Sequence, residues 1–189
     1  MIIQGKVMRS TGSFYDIRAE DGTRYVCKVR GKVRLEGIRE TNPVAVGDHV
    51  LFDNSSDIGV IKEILPRDNH MLRQSVKKTG HSHVLAANLD QALLVVTLAY
   101  PRTSLGFIDR FLVAAEAFRI PQVLVFNKKD LLEKEESLKQ EETMDVYART
   151  GVKCIAVSAL ADDLAHLLAL LENKTTLFAG HSGVGKSTL

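Results

Sequence analysis

The residues with the most specific chemistry run from Gly180 to Leu189, where Gly180-His181-Ser182-Gly183-Val184-Gly185-Lys186-Ser187-Thr188-Leu189 follows the apolar run Thr175-Thr176-Leu177-Phe178-Ala179. The order reads as a strand, a glycine-rich turn and the start of a helix. Gly180 and Gly185-Lys186-Ser187 fit the spacing G-x-x-x-x-G-K-[ST], in which backbone N–H groups turn inward around a polyphosphate. Glycines at 180, 183 and 185 permit that turn, and the positive end of the following helix adds to the attraction. Lys186 is expected to reach the outer phosphates and Ser187 to ligate magnesium. The bland reading, a surface lysine in a glycine turn, leaves a complete match in a strand-to-helix setting unexplained.

A second constellation, Asn127-Lys128-Lys129-Asp130, directly follows the apolar run Val123-Leu124-Val125-Phe126. A carboxylate at the carboxyl end of a parallel strand accepts hydrogen bonds from two guanine nitrogens that adenine does not offer. Asn127 is suited to bracing neighbouring loops, and the Lys128 stem to lying along the face of the base. After the next strand comes Ser158-Ala159-Leu160, where the Ala159 N–H is placed to donate to the guanine oxygen. Either motif alone is also what a polar loop after a strand looks like. All three follow strands of one parallel sheet and face the same edge, where ligands of such folds bind. Together they point to GTP or GDP with Mg2+.

The elements that position these loops form two patterns, α/β plus all-β. From Asn88 onward strands and helices alternate: Leu93–Thr97, a helix over Leu105–Phe118 with Ser104 as N-cap, Val123–Phe126, an acidic helix over Glu136–Arg149, Lys153–Val157, a helix over Asp163–Leu171, and Thr176–Ala179. That alternation predicts a mostly parallel sheet covered on both faces. Residues 1–65 carry strand patterns at Ile2–Arg9, Phe14–Ala19, Thr23–Val29, His49–Phe52 and Gly59–Ile64. Five short strands in so few residues predict a closed five-stranded OB-fold barrel, a fold that binds nucleic acid. Residues 66–87 are polar, basic and without clear periodicity, and read as a linker.

Charge divides the same way. Residues 1–80 hold 14 Lys and Arg against 10 Asp and Glu, an excess of +4; residues 81–189 hold 11 against 13, or −2. Between Arg24 and Arg39 stand Arg24, Lys28, Arg30, Lys32, Arg34 and Arg39, opposed only by Glu36. The run is either an ordinary solvated face or a surface for RNA backbone. In the linker, Arg67, Arg73, Lys77 and Lys78 either continue that surface or belong to an exposed connector. His70, His81 and His83 lack the partners that would make a metal site. Cys27 and Cys154 fall in separate strands and read as buried, reduced core residues. No apolar run is long enough to span a bilayer and the amino terminus is not a secretory signal, so the expected setting is cytoplasmic, without a membrane partner.

The motifs NKKD, SAL and GHSGVGKS resemble those of translation-factor-like GTPases, except that there the phosphate loop comes first. Here it comes last, a circular permutation that closely spaced termini make tolerable. With its amino-terminal barrel and the junction Ala87-Asn88-Leu89-Asp90-Gln91, the chain resembles the RsgA family of circularly permuted, ribosome-dependent GTPases. The resemblance implies GTP hydrolysis in late maturation of the small ribosomal subunit, with that subunit and its rRNA as partners of a monomer. It gives the base-binding role to Asn127, Lys128, Lys129 and Asp130, with Ser158 and Ala159 in support. It gives the phosphate role to Gly180, His181, Ser182, Gly183, Val184, Gly185, Lys186, Ser187 and Thr188, and magnesium to Ser187; the His181 side chain is expected to be exposed and not catalytic. Nothing in the sequence matches the family's switch segments, its D-x-P-G motif, its water-positioning residue or its carboxy-terminal zinc domain. The chain is therefore read as truncated just after the phosphate loop. It is expected to hydrolyse GTP negligibly, with no assignable catalytic residue, with Zn2+ only in the missing domain, and with Gly183–Leu189 irregular or held by neighbouring contacts. Two other readings are a permuted GTPase of large-subunit assembly, which the barrel disfavours, and an RNA-binding module with an inert nucleotide domain.

Overall fold

The structure is a computed structural model that describes residues 1–29, 44–74 and 82–189. Arg30, Lys32, Arg34, Glu36 and Arg39 of the basic run, and Lys77, Lys78 and His81 of the expected linker, lie outside the described residues. The chain divides into two compact units, Met1–Asn88 and Leu89–Leu189.

In the first unit, β1 (Ile2–Ser10), β2 (Phe14–Ala19), β3 (Arg24–Val29), β4 (His49–Asp53) and β5 (Gly59–Ile64) close into a barrel in the order β1-β2-β3-β5-β4. All ladders are antiparallel except β3–β5. The period-2 pattern sorts the faces. In β2, Tyr15, Ile17 and Ala19 are buried while Phe14 and Arg18 face solvent. Val7, Cys27, Val50, Phe52 and Ile61 complete the inner layer. Burial raises the Cys27 thiol to about 11, which keeps it protonated at neutral pH.

Residues 66–87 are not an irregular linker. Strands β6 (His70–Gln74) and β7 (Ser82–Ala87) pair antiparallel, and Met71 and Ala86 sit opposite each other, both buried. The hairpin is tied to the approach to β4 by Ala87 N–H donating to Val46 O at 2.9 Å and Asn88 Nδ2 to Gly47 O at 3.0 Å. Arg67, expected on an exposed connector or an RNA-facing surface, is buried. Its Nε and Nη2 donate to the two carboxylate oxygens of Asp48 at 2.6 and 2.8 Å, with side-chain exposures of 6% and 0%. Asp48 Oδ2 also accepts from Ala45 N at 2.8 Å. A planar guanidinium matches a carboxylate in this bidentate way, which is what makes so dry a pair tolerable.

In the second unit the sheet order is β10 (Lys153–Ala156), β9 (Gln122–Phe126), β8 (Gln91–Val96), β11 (Thr176–Ala179), all parallel. Every residue of β8 is buried, as a strand covered on both faces requires. Alternation again divides the packing. Leu93, Val95, Val123, Val125 and Val157 meet Leu167 of α3 (Ala165–Leu171) and Val184. On the other face Leu94, Val96, Leu124 and Phe126 meet Ile108 and Leu112 of α1 (Leu105–Ala117) and Tyr147 of α2 (Lys134–Ala148). Ser104 occupies the N-cap position of α1 without a side-chain cap bond. The amino end of α2 is turned by Glu133 N–H donating to Glu136 Oε2 at 3.1 Å. Cys154 is only half-buried, since β10 is an edge strand, yet burial still raises its thiol to about 11.

Arg67→Met should lower the stability of the first unit by about 3–5 kcal/mol, because it strands the Asp48 carboxylate in a dry site, whereas Asp48→Leu combined with Arg67→Met should recover most of the loss. Urea denaturation read through amide exchange of β1–β5 measures both.

Candidate functional site

Parallel strands place their carboxyl ends together, so the segments after β8, β9, β10 and β11 share one edge of the sheet. After β9 comes Asn127, 2% exposed. Its backbone N–H donates to Val96 O at 2.9 Å, continuing the ladder one residue further. Its side chain bridges two loops. Nδ2 donates to Val184 O at 2.9 Å, and Oδ1 accepts from Ala159 N at 3.0 Å. One amide thus joins the end of β9, the Ser158–Leu160 loop and the glycine-rich loop after β11. The Ala159 N–H expected to face a guanine oxygen donates to Asn127 in this structure.

Lys128 adopts left-handed backbone angles, φ 64° and ψ 34°. Its Nζ donates to Gly183 O and to Tyr100 O, both at 2.7 Å. The lysine expected to lie under the base therefore also ties the phosphate loop to the Thr97–Thr103 segment after β8. Nothing in the sequence marked that segment. Thr103 is 2% exposed and exchanges bonds with Thr97 on both sides: Thr103 N–H donates to Thr97 O at 2.8 Å, and Thr97 N–H to Thr103 Oγ1 at 3.3 Å. The Thr97 hydroxyl also donates to Pro101 O. Backbone carbonyls do the work at Tyr100 and Gly183, and a carbonyl has no sequence signature; the left-handed Lys128 is the nearest to a sign.

Lys129 opens a 3-10 turn over Lys129–Leu131 that carries Asp130, whose side chain is exposed. The Lys129 Nζ lies 2.7 Å from Asp162 Oδ2, and the same oxygen accepts from Ser158 N at 2.8 Å. Those two partners, Lys129 first, hold the Asp162 carboxyl below its ordinary range. Ser158 is 1% exposed, and its Oγ accepts from Ala161 N at 3.2 Å.

In the phosphate loop, Gly180, Gly183 and Gly185 have φ of 140°, 83° and 95°. Two of these positions exclude a side chain on contact as well as conformation. A Cβ on Gly180 would lie 2.3 Å from Val95 O, and one on Gly185 would lie 2.3 Å from Asn127 Nδ2. Val184 between them is fully buried against the sheet and pins the loop. His181, Ser182, Ser187 and Thr188 are exposed, and the His181 ring lies 4.0 Å from that of Phe107 on α1. Lys186 Nζ donates to Gly180 O at 3.0 Å and His181 O at 2.6 Å. Thr188 and Leu189 N–H both donate to Gly185 O, at 3.1 and 3.2 Å, which closes a turn over 185–189. Val184, packed into the core, holds the segment.

These residues fit a polyphosphate: three glycines leave room for it, and one lysine is at hand to exchange carbonyl partners for phosphate oxygens. For Mg2+ the chain offers the exposed Ser187 hydroxyl, and among the described residues no cluster of three His, Cys, Asp or Glu side chains forms a metal site. A hydroxyl plus phosphate oxygens and water is the ligand set magnesium ordinarily takes beside a nucleotide.

A family model described as the RsgA GTPase matches residues 64–189, and one described as the RsgA N-terminal domain matches residues 4–61. The small ribosomal subunit biogenesis GTPase RsgA of Bacteroides fragilis is 46% identical over 189 residues, 99% of this chain and 61% of the relative. RsgA 2 of Bacteroides thetaiotaomicron, described in the same words, is 48% identical over the same shares. The chain thus spans about three-fifths of the length of these relatives. Among solved structures, YjeQ from Thermotoga maritima aligns with a TM-score of 0.76 at 33% identity, covering 100% of this chain and 63% of that one. YloQ, described as a circularly permuted GTPase, aligns with a TM-score of 0.70 at 30% identity over the same shares.

Asn127→Ala should leave Val184 O and Ala159 N–H without their partner, at about 1–3 kcal/mol for each group. The expected result is a lower unfolding midpoint for Leu89–Leu189 together with faster amide exchange at both Ala159 and Gly185, since one side chain holds both loops.

Proposed function

The chain belongs to the RsgA family, and from that membership we propose that the protein binds and hydrolyses GTP during assembly of the small ribosomal subunit, as a cytoplasmic monomer. The observation that carries the reading is the double bridge made by Asn127, which fixes a base-reading loop and a phosphate loop at one sheet edge. Asp130 reads the guanine edge. The Ser158–Leu160 loop flanks it, its Ala159 N–H held by Asn127, and Lys128 holds the wall of the site through Tyr100 and Gly183. Lys186 leaves Gly180 O and His181 O for the outer phosphates. Ser187 would hold Mg2+, which would supply charge neutralisation on the phosphates. GTP hydrolysis by the full protein carrying this chain, measured with and without purified small ribosomal subunits, tests the whole reading; the expected result is turnover that rises with the subunits.

The RNA partner would meet the outer face of the barrel. Across β1, β2 and β3 the register aligns Lys6 with Arg18 and Arg18 with Arg24, and sets Phe14 beside Lys28. Arg18, Arg24 and Lys28 are exposed, as are the apolar Met8, Phe14 and Val26 between them. Cations for the backbone interleaved with apolar surface for bases is the pattern of single-strand binding.

Two substitutions test these roles. Asp130→Asn offers guanine a mismatched amide and suits xanthine better. It should lower GTP affinity at least about tenfold, the scale of a lost charge-assisted bond, and raise relative affinity for XTP. Reversing Arg18, Arg24 and Lys28 to Glu should weaken binding to the subunit's RNA. It should also flatten the dependence of log affinity on log salt by roughly 0.7–0.9 for each lost phosphate contact. An unchanged slope would assign the face to ordinary solvent.

A further inference from the structure

We propose that Asp162 is a positioning residue for base selection, a single carboxylate that holds the loop carrying Asp130 in register with the loop carrying Ala159. The proposal rests on the guanine-nucleotide reading above and adds to it a residue outside all three motifs.

The geometry is a three-point junction on one oxygen. Asp162 Oδ2 receives the Ser158 N–H at 2.8 Å and the Lys129 ammonium at 2.7 Å. Lys129 directly precedes Asp130, and Ser158 directly precedes Ala159. The donors thus come from the residue before each base-reading position, one from each loop. The carboxylate is itself fixed by its own turn, because Asp162 N–H donates to Ser158 O at 3.0 Å and Ala161 N–H to Ser158 Oγ at 3.2 Å.

Two features make the junction matter for the base more than for the fold. The first is that Asp130 is exposed and makes no bond of its own among the described residues, so its direction is set by the 3-10 turn that Lys129 opens. That turn is anchored to the neighbouring loop by Lys129 N–H to Val157 O at 3.2 Å and, at the rim, by the Asp162 bridge. The second is the difference between the two arms. Ser158 is 1% exposed, so its N–H has no water to replace Asp162, and this arm fixes the Ser158–Ala159 loop. Lys129 and Asp162 are 43% and 25% exposed. A half-exposed ion pair adds little to global stability, so this arm acts on the placement of Asp130. Asn127 joins the same loops from beneath, through Ala159. It holds the loops together without touching the Lys129 side chain, which the Asp162 bridge fixes at the rim.

The test compares GDP with IDP, which lacks the exocyclic amine that a correctly placed Asp130 would bind. In the full protein carrying this chain, Asp162→Ala should lower the ratio of GDP to IDP affinity by about three- to tenfold, the scale of one hydrogen bond. Pyrophosphate binding should not change. Asp162→Asn keeps a neutral acceptor for Ser158, and Lys129→Met keeps that arm whole. Each should lower the ratio by less, which guards against a general folding defect in the alanine variant. If GDP and IDP weaken by the same factor in all three variants, or the ratio stays at its parent value, Asp162 is a structural contact only and the proposal falls. A parent protein with no preference for GDP over IDP overturns the guanine reading itself, and this inference with it.

Discussion

The side-chain amide of Asn127 presents an acceptor on one side and a donor on the other from a position that water does not reach. Both are used, on loops either side of it: Ala159 N–H on one flank, Val184 O on the other. Much of the local sequence follows from that contact. Asn127 sits where it does because β9 is an inner strand of a parallel sheet and its first residue beyond the ladder is still bonded to β8. Gly185 has no side chain because the amide occupies the space of a Cβ. Val184 is apolar because its carbonyl must be offered to Asn127 from a loop anchored in the core.

The first unit depends on a different kind of buried polar contact. Asp48 and Arg67 join the start of β4 to the segment that leads into the β6–β7 hairpin, and both are dry. Burying two charges gains little net stability over a well-packed apolar pair, whereas a single misplaced charge there is costly. The contact therefore selects one docking of the hairpin against the barrel approach, and Ala87–Val46 and Asn88–Gly47 complete the fit.

Most elements were legible because their signals are local. The five barrel strands and the strand entering the phosphate loop lie within a residue of their predicted bounds, since alternation and turn residues determine both. Glycine spacing marked the positive-φ turn at Gly180, Gly183 and Gly185 for the same reason. What stayed hidden was non-local. Arg67 resembles any exposed linker arginine until Asp48, 19 residues earlier, is folded against it. The hairpin was missed because its apolar positions are few and its polar residues dominate the pattern. The Tyr100 and Gly183 carbonyls and the Lys129–Asp162 pair depend on loops brought together only by the sheet.

The strand order also governs the sequence of events during synthesis. β8, β9 and β10 are contiguous in both chain and sheet, joined by α1 and α2, whereas β11 follows all three in the chain and pairs with β8 on the side away from β9. In a nascent chain Asn127 and Asp130, just after β9, and Ser158, just after β10, therefore leave the ribosome before the phosphate loop does. Until then the outer edge of β8 has no partner, and a bare parallel-strand edge is prone to wrong pairing. The permuted order thus makes the arrival of β11 both the closing of that edge and the delivery of the phosphate loop to an Asn127 already in place.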